Sequence, residues 1–181
     1  NVRPGRVRVI ARVTLVAALV GGAVPLSASA QSIVQVRQFK GSATVSVVAW
    51  APDQPNYGLR TEVRQDGSFA GDDRRGEHRL YLGSVFVKNN GGMGNAFAQT
   101  GKRLRATGSR TDENACNGGS VCSPPTTDGL AVADALLRSS RDSFAVSFDG
   151  DAGKSWTIKL RGELIASYLR VVDSVSTSLK K

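Results

Sequence analysis

The chain has 181 residues, with 24 Lys and Arg against 15 Asp and Glu, which gives a formal net charge of +9. Four basic residues and no acidic ones lie in residues 1–30, so the remaining 151 residues carry 20 basic against 15 acidic side chains, or +5. That excess is too mild for a nucleic-acid-binding face. A stretch of 151 residues can bury one core and is short for two, so we expect a single globular, β-rich domain over residues 31–181.

Residues 1–30 have the layout of a secretory signal peptide. Four arginines come before an apolar stretch at residues 13–26, and the segment closes on Ala28-Ser29-Ala30, small residues suited to signal peptidase. Two glycines and a proline interrupt the apolar stretch, which is also shorter than the roughly 20 residues of a membrane-spanning helix. We therefore expect cleavage after Ala30 and a periplasmic or secreted product without a transmembrane segment.

The next part of the chain predicts strands. Residues 32–50 are rich in Val, and residues 59–64 alternate between core-facing and charged side chains, as a half-buried strand does. Asp66-Gly67 then predicts a turn. Between the two strand segments, residues 51–58 carry two prolines, which predict a loop outside the central sheet.

The middle of the chain predicts two further strands and a disulfide. Residues 79–88 have apolar side chains on both faces, typical of a central strand, and residues 102–106 predict another strand. Cys116 and Cys122 are the only cysteines, separated by five residues that include two glycines. This spacing matches neither a redox motif nor a zinc knuckle, so in an exported protein it predicts a structural disulfide.

The last third predicts two helices and a hairpin. Residues 130–138 place apolar side chains on one side after a possible N-cap at Asp128. Residues 144–148 and 156–160 alternate around a loop of Asp and Gly. Residues 163–179 have strong helical periodicity, which favours packing on the protein's own sheet. The fold class is therefore mainly β (α+β): an antiparallel β-sandwich or open barrel of about seven strands, with one short helix and a C-terminal helix packed on the sheet.

His78 is the only histidine and therefore the first candidate for catalysis. Glu77 and Asp72 are close in sequence, so a general base can be drawn with His78. No Gly-x-Ser-x-Gly nucleophile motif accompanies it, and one histidine does not build a multi-histidine zinc site. We interpret His78 as a surface residue at the start of a strand.

Asp149 and Asp151 begin a D-x-D-x-G pattern that calcium-binding loops share. Such loops supply a bidentate carboxylate at position twelve, which here is Leu160, and Lys154 would lie beside the cation. The pattern therefore favours an ordinary hairpin turn, and we expect no metal or other cofactor.

The glycine-rich segment at residues 89–95 is a candidate anion-binding loop. Gly91, Gly92 and Gly94 would let backbone N–H groups approach a ligand closely. If the strands at 79–88 and 102–106 are neighbours, four basic residues lie near this loop: Lys88, Lys102, Arg103 and Arg105. N–H donors beside positive charge suit an anionic group. A flexible connection with solubilising charges is the alternative.

An exported domain without a recognisable catalytic constellation favours a non-enzymatic binding or interaction module. Its partner would be an envelope or extracellular component that the sequence does not identify, with an anionic ligand as one candidate, and not nucleic acid. The alternatives are a hydrolase of an unfamiliar type that uses His78, and a structural subunit that docks on another envelope protein through a sheet edge. We expect the mature chain to be a monomer.

Overall fold

The computed structural model describes residues 32–38, 43–68, 77–111, 126–140, 142–150 and 153–180. The strands in these ranges are β1 (Ile33–Gln38), β2 (Thr44–Ala51), β3 (Gln54–Arg64), β4 (Glu77–Gly83), β5 (Ala96–Ala98), β6 (Arg103–Ala106), β7 (Arg110–Thr111), β8 (Thr126–Ala133), β9 (Ser143–Asp149) and β10 (Ser155–Arg161). The helices are α1 (Ser84–Asn89), α2 (Asp134–Ser139) and α3 (Gly162–Leu179).

The strands form one antiparallel, curled sheet. Its order is β1-β2-β3-β4-β8-β6-β5-β9-β10, and β7 pairs with β8 beside this path. The mainly β class is confirmed, but the described strands outnumber the seven expected, and they form a half-barrel instead of two stacked sheets. A second short helix is also present. Strand β8 lies between β4 and β6, which therefore do not pair with each other.

Helix α3 covers the inner face of the curl. It contacts β1, β2 and β3 at one end of the sheet and β9 and β10 at the other. Its buried side chains are Leu164, Ile165, Tyr168 and Val172, which meet the inward residues of the strands in one core. Burying each such side chain contributes about 1.5–3 kcal/mol. The predicted C-terminal helix and its packing on the sheet are confirmed.

The β9–β10 hairpin and the turn at Asp66-Gly67 agree with the sequence patterns. Phe144, Val146 and Phe148 are fully buried and pair in register with β10. Gly67 has φ +74°, the left-handed conformation that glycine adopts without strain.

The prediction of a loop at residues 51–58 is wrong. Only Pro52 and Asp53 form the turn, and Ala51 already pairs with Gln54 across a tight hairpin. The register shifts after this pair, so Pro55 falls in an irregular stretch of β3 where a missing N–H is tolerated.

Two other segments switch type midway. The strand expected at residues 79–88 ends at Gly83, and α1 follows. Most of the apolar residues that suggested a second buried face of the strand therefore belong to this helix. In residues 130–138, β8 continues to Ala133 before α2 begins. Asp128 lies inside β8, opposite Leu82, and caps no helix. In β8, small residues alternate with Leu130 and Val132. Because small residues fit either face of a helix, the sequence kept the apolar spacing of a helix although this part is a strand.

Several expectations lie outside the described residues: the signal peptide at 1–30, the Cys116–Cys122 disulfide, and the positions of Asp72 and Asp151. They stay predictions. Among the described helices, none combines the length and apolarity needed to cross a membrane.

Candidate functional site

His78 lies inside the protein, so its interpretation as a surface residue is wrong. It is the second residue of β4, and strand alternation places it on the inner face with Leu80, where it is 1% exposed. Its Nδ1 lies 2.9 Å from the Tyr168 hydroxyl of α3, and its Nε2 lies 2.9 Å from Oδ1 of Asp134 in α2. One imidazole thus joins a strand to two helices.

The hydrogen bonds continue beyond Asp134 to the protein surface. Arg138 Nε donates to both Asp134 carboxylate oxygens, at 2.9 and 2.8 Å. The two terminal nitrogens of Arg138 donate to Asp173 of α3 at 3.0 and 2.7 Å. We call these five residues the His78 network: Tyr168, His78, Asp134, Arg138 and Asp173. It connects α2, α3 and β4.

Burial determines the charge state of this network. Burial lowers the pKa of His78 and outweighs the opposing hydrogen bond to Asp134. Burial would raise the pKa of Asp134, but hydrogen bonds from Arg138 and His78 outweigh it and lower that pKa. A neutral imidazole that donates from Nε2 to the Asp134 carboxylate and accepts the Tyr168 O–H at Nδ1 satisfies every atom. Burial also raises the pKa of Tyr168, which keeps that hydroxyl protonated.

This geometry favours a structural role for His78. A general base must come within about 2.6–3.2 Å of the proton it removes, or reach it through one water. Both ring nitrogens of His78 already bond to protein atoms, and the ring is closed to solvent. Glu77 faces the opposite side of β4, where its carboxylate lies 2.9 Å from Arg105. The two candidate residues therefore do not meet, and the sequence pattern missed the true carboxylate partner, Asp134.

Arginines gather on the face of the sheet that is turned away from α3, which we call the outer face. Strand alternation and register place six of them there: Arg37, Arg60, Arg64, Arg79, Arg103 and Arg105. Glu62 and Glu77 are the only acidic residues of the same strands. One row across the sheet contains Arg60, Arg79, Ala131 and Arg105. The outer face is positive because its arginines outnumber its carboxylates.

An aromatic row runs beside these arginines. Register aligns Trp50, Gly58, Tyr81 and Gly129 on successive strands. A Cβ at Gly58 would lie 2.5 Å from the Tyr81 hydroxyl oxygen and would also clash with the Ala49 carbonyl. Gly58 therefore makes room for the Tyr81 ring. Burial raises the pKa of Tyr81, against the charges of Arg37 and Arg60, which lie close enough to lower it.

The outer-face arginines have different hydrogen-bond and ion-pair partners. Arg79 is buried over Gly129, and its guanidinium donates to the carbonyls of Gly108 and Thr127 at 2.9 and 3.1 Å. Arg60 pairs with Glu62 at 3.2 Å. On the same face, three buried polar atoms lack a hydrogen-bond partner: Ser46 Oγ, Arg60 Nε and Thr107 Oγ1. Such atoms are uncommon in native structures and can be satisfied by a ligand.

The glycine loop does not present its N–H groups. Gly91 N–H donates to the Lys88 carbonyl at 3.2 Å, Gly92 N–H to Val87 at 3.0 Å, and Gly94 N–H to Asp149 at 2.9 Å. The loop packs against the β9–β10 hairpin, where Trp156 Nε1 donates to the Gly92 carbonyl at 3.0 Å. Its glycines serve this close packing, since a Cβ at Gly94 would clash with the Asp149 backbone.

The basic residues expected around that loop separate into two groups. The two strands at 79–88 and 102–106 were expected to be neighbours, but β8 lies between β4 and β6, so that condition does not hold. Lys88 lies exposed in the last turn of α1, and Lys102 precedes β6, next to the β5–β6 turn. Arg103 and Arg105 share one exposed side of β6, as alternation predicts, and belong to the outer face. The sequence signal for this larger cluster was Arg60 and Arg64 on one side of β3, together with Arg79 in β4.

No metal site emerges from the described residues. Asp149 ends β9 with its side chain exposed, and its carbonyl accepts the Gly94 N–H. In the part of the chain that the structure describes, no three His, Cys, Asp or Glu residues are grouped to hold an ion. Asp151, the other candidate ligand, lies outside that part.

Comparison with known proteins identifies no relative. No family model, curated protein or solved structure matches this chain. No function is therefore transferred from a homologue, and the chemistry of the outer face and of the His78 network carries the functional interpretation.

Proposed function

We propose that this chain is a non-enzymatic binding module whose outer face binds an anionic ligand. The supporting observation is the excess of arginines over carboxylates on one face, beside the half-buried side chains of Trp50 and Tyr81. Guanidinium groups bind carboxylate, sulfate and phosphate oxygens through paired, charge-assisted hydrogen bonds. The accessible members of the proposed site are Arg37, Arg60, Trp50, Tyr81, Arg103 and Arg105.

The spacing of the arginines favours a repeating anion over a single small one. Neighbouring strands lie about 4.8 Å apart, so Arg60 and Arg105, three strands apart in one row, are separated by roughly 14 Å. Such a row matches successive charges of an acidic polysaccharide, or adjacent headgroups of an anionic lipid surface. Both ligands occur outside the cytoplasm, in keeping with the predicted export.

The remaining hypotheses have less support. A hydrolase that uses His78 would need an accessible imidazole, and this one bonds to Tyr168 and Asp134 inside the core. Docking on another envelope protein through a sheet edge would leave the excess of arginines on the outer face unexplained.

Binding to two probes tests the proposal: a soluble polyuronate, and vesicles of neutral phospholipid with or without an anionic phospholipid. We expect salt-sensitive binding to at least one anionic probe. The double substitution Arg103→Glu and Arg105→Glu should weaken it by about tenfold or more, since charge-assisted hydrogen bonds of about 1.5–3 kcal/mol each are replaced by repulsion. The polyuronate and vesicle arms distinguish a glycan from a lipid ligand.

The matched control is Lys88→Glu with Lys102→Glu, which makes the same charge change away from the outer face. This control should bind within about twofold of the wild type after allowance for net charge. Equal losses in both double variants would mean that net charge alone drives binding. The absence of binding by the wild type at low salt would also contradict the proposal.

A further inference from the structure

The two terminal strands of the sheet have different surroundings. Beside β10, the β2–β3 hairpin supplies Asp53, whose carboxylate lies 2.6 Å from Arg161, and Tyr57, whose hydroxyl bonds to the Lys159 backbone. Strand β1 is hydrogen-bonded to β2 on one side, and no other described strand pairs with it. The other side of β1 is an open edge within the described part of the chain.

Strand β1 also exposes apolar side chains on both of its faces. Ile33 is 37% exposed and Val36 is 47% exposed. Ile33 aligns with Trp50 on the outer face, whereas Val36 aligns with Val47 on the inner face. A small molecule or a helix resting on one face of the sheet would cover only one of them. A further strand lying along the edge would cover both.

We propose that β1 pairs with β1 of a second copy of this chain, antiparallel and with Gln35 on the two-fold axis. This register places Val34 opposite the partner's Val36 on the inner face and Ile33 opposite the partner's Arg37 on the outer face. Antiparallel pairing about an axis perpendicular to the sheet keeps inner residues with inner residues. Arg37, the only charged residue of β1, then faces no second arginine.

The composition of β1 supports pairing with a second copy of the chain. Edge strands that avoid pairing carry charged side chains, proline or a bulge. Strand β1 has a single charge, Arg37 near its end, but no proline and no bulge, since its register with β2 is unbroken over all six residues. Pairing β1 with β10 of another copy would instead have to displace the contacts that the β2–β3 hairpin makes with β10 through Asp53 and Tyr57. The symmetric pairing is therefore favoured over an open-ended chain of copies.

The short interface implies a weak dimer. Six residues provide few backbone hydrogen bonds and two pairs of apolar contacts, well below the roughly 1,200 Å² of a stable interface unless neighbouring surfaces also meet. A reversible dimer that forms with rising concentration is expected. This proposal differs from the expectation of a monomer, which stays a prediction.

Sedimentation velocity of the full chain, from about 1 μM to 1 mM, tests the pairing. Gln35→Lys and Gln35→Glu each place like charges together on the two-fold axis and should each weaken the dimer by about tenfold. Mixing the two variants in equal amounts should restore it, because opposite charges then meet. Native mass spectrometry identifies the mixed dimer by its mass.

The matched controls are Thr157→Lys and Thr157→Glu at the middle of β10, which should leave self-association unchanged. Arg103→Glu with Arg105→Glu should also leave it unchanged, which separates this proposal from anion binding. Circular dichroism confirms that each Gln35 variant is folded.

Three outcomes would overturn the pairing. The first is a monomer at every concentration, and the second is a dimer that ignores the charge at position 35. The third is a dimer that both substitutions abolish and that mixing fails to restore. Amide hydrogen exchange adds a check, since protection of β1 should rise with protein concentration. Protection that is high and independent of concentration would mean that the chain itself, or an unrelated partner, covers the edge.

Discussion

At one end of the sheet, the β2–β3 hairpin reaches β10 through Asp53 and Tyr57; at the other, β1 meets no described strand beyond β2. The exposed side chains of β10 are polar, namely Ser155, Thr157 and Lys159, whereas β1 exposes the apolar Ile33 and Val36 beside Arg37 and Gln38. Polar and charged residues protect an edge from unwanted pairing. Curling thus brings one edge close to a distant hairpin, whereas the other edge meets no further strand among the described residues.

Helix α3 is common to both ends, because it contacts β1–β3 and β9–β10. Changes in its packing should therefore affect both ends together. Changes in the hairpin contacts should affect β10 alone. Amide hydrogen exchange of the two terminal strands measures this difference.

The largest effect is expected from Tyr168→Ala. It removes a fully buried aromatic ring and leaves the His78 Nδ1 without a donor, so we expect unfolding free energy to fall by about 3–5 kcal/mol. Exchange should accelerate in β1 and β10 alike. Tyr168→Phe keeps the ring and should cost about 1–3 kcal/mol. Acceleration at one end only would contradict the role of α3 as a shared support.

Gly58→Ala should destabilise the β1 end selectively. Its new methyl group would meet both the Tyr81 ring and the Ala49 carbonyl, so we expect a loss of about 1–3 kcal/mol, measured by urea unfolding. Exchange should rise in β1 and β2 more than in β9. Gly83→Ala is the control, since its nearest contact is an ordinary 3.6 Å from the Asn56 carbonyl. Similar losses in both variants would argue against the close approach of Tyr81.

Acidification should weaken the packing of α3 on the sheet, because His78 bonds to Tyr168 of that helix. The pKa of His78 in the fold lies below its ordinary value of 6.5 because of burial, so the unfolded chain binds the proton first as pH falls. The stability that the neutral imidazole provides is complete above about pH 6.5 and is lost progressively below it. Asp134 adds a second loss only below about pH 3.8, because its pKa is lowered.

Urea unfolding between pH 8 and pH 5 measures this effect. His78→Gln should make the free energy of unfolding depend less on pH between pH 8 and pH 5, whatever its effect on stability at pH 8. A slope that is unchanged in the variant would assign the pH dependence to other groups.

The smallest effect is expected at the protected edge. Asp53→Ala removes an ion pair with Arg161 that is partly exposed, which is worth about 0.2–1 kcal/mol. Exchange should rise near Lys159 and Arg161 and stay unchanged in β1. Asp142→Ala, another exposed acidic position, is the control. A response in β1 equal to that in β10 would contradict the proposed division between the two edges.

Local signals predicted the elements that depend on neighbouring residues. The β9–β10 hairpin, the Asp66-Gly67 turn and α3 each follow from periodicity or turn residues within a single segment. The segments at 79–88 and 130–138 were assigned one structure each, although a strand passes directly into a helix in both. Periodicity averages over such a junction, so it reports whichever pattern is stronger.

The candidate sites depended on contacts that sequence distance conceals. His78 meets Asp134 and Tyr168, which are 56 and 90 residues away. Its nearest acidic neighbour in sequence, Glu77, points to the other face of the sheet. Arg105 joins Arg60 and Arg79 only because β8 and β4 lie between β6 and β3. Strand order supplies this information, and no linear pattern in the chain fixes it.

The contacts of α3 and the hairpin also bear on how the chain acquires its fold. Ser176 bonds to Gly67 across 109 residues, Arg161 to Asp53 across 108, and His78 to Tyr168 across 90. A topology rich in such distant contacts folds slowly. During synthesis, the first strands must wait for residues 162–179 before their inner face is covered. Late completion of the core is compatible with the predicted export, because translocation of an unfolded chain requires that folding be slow.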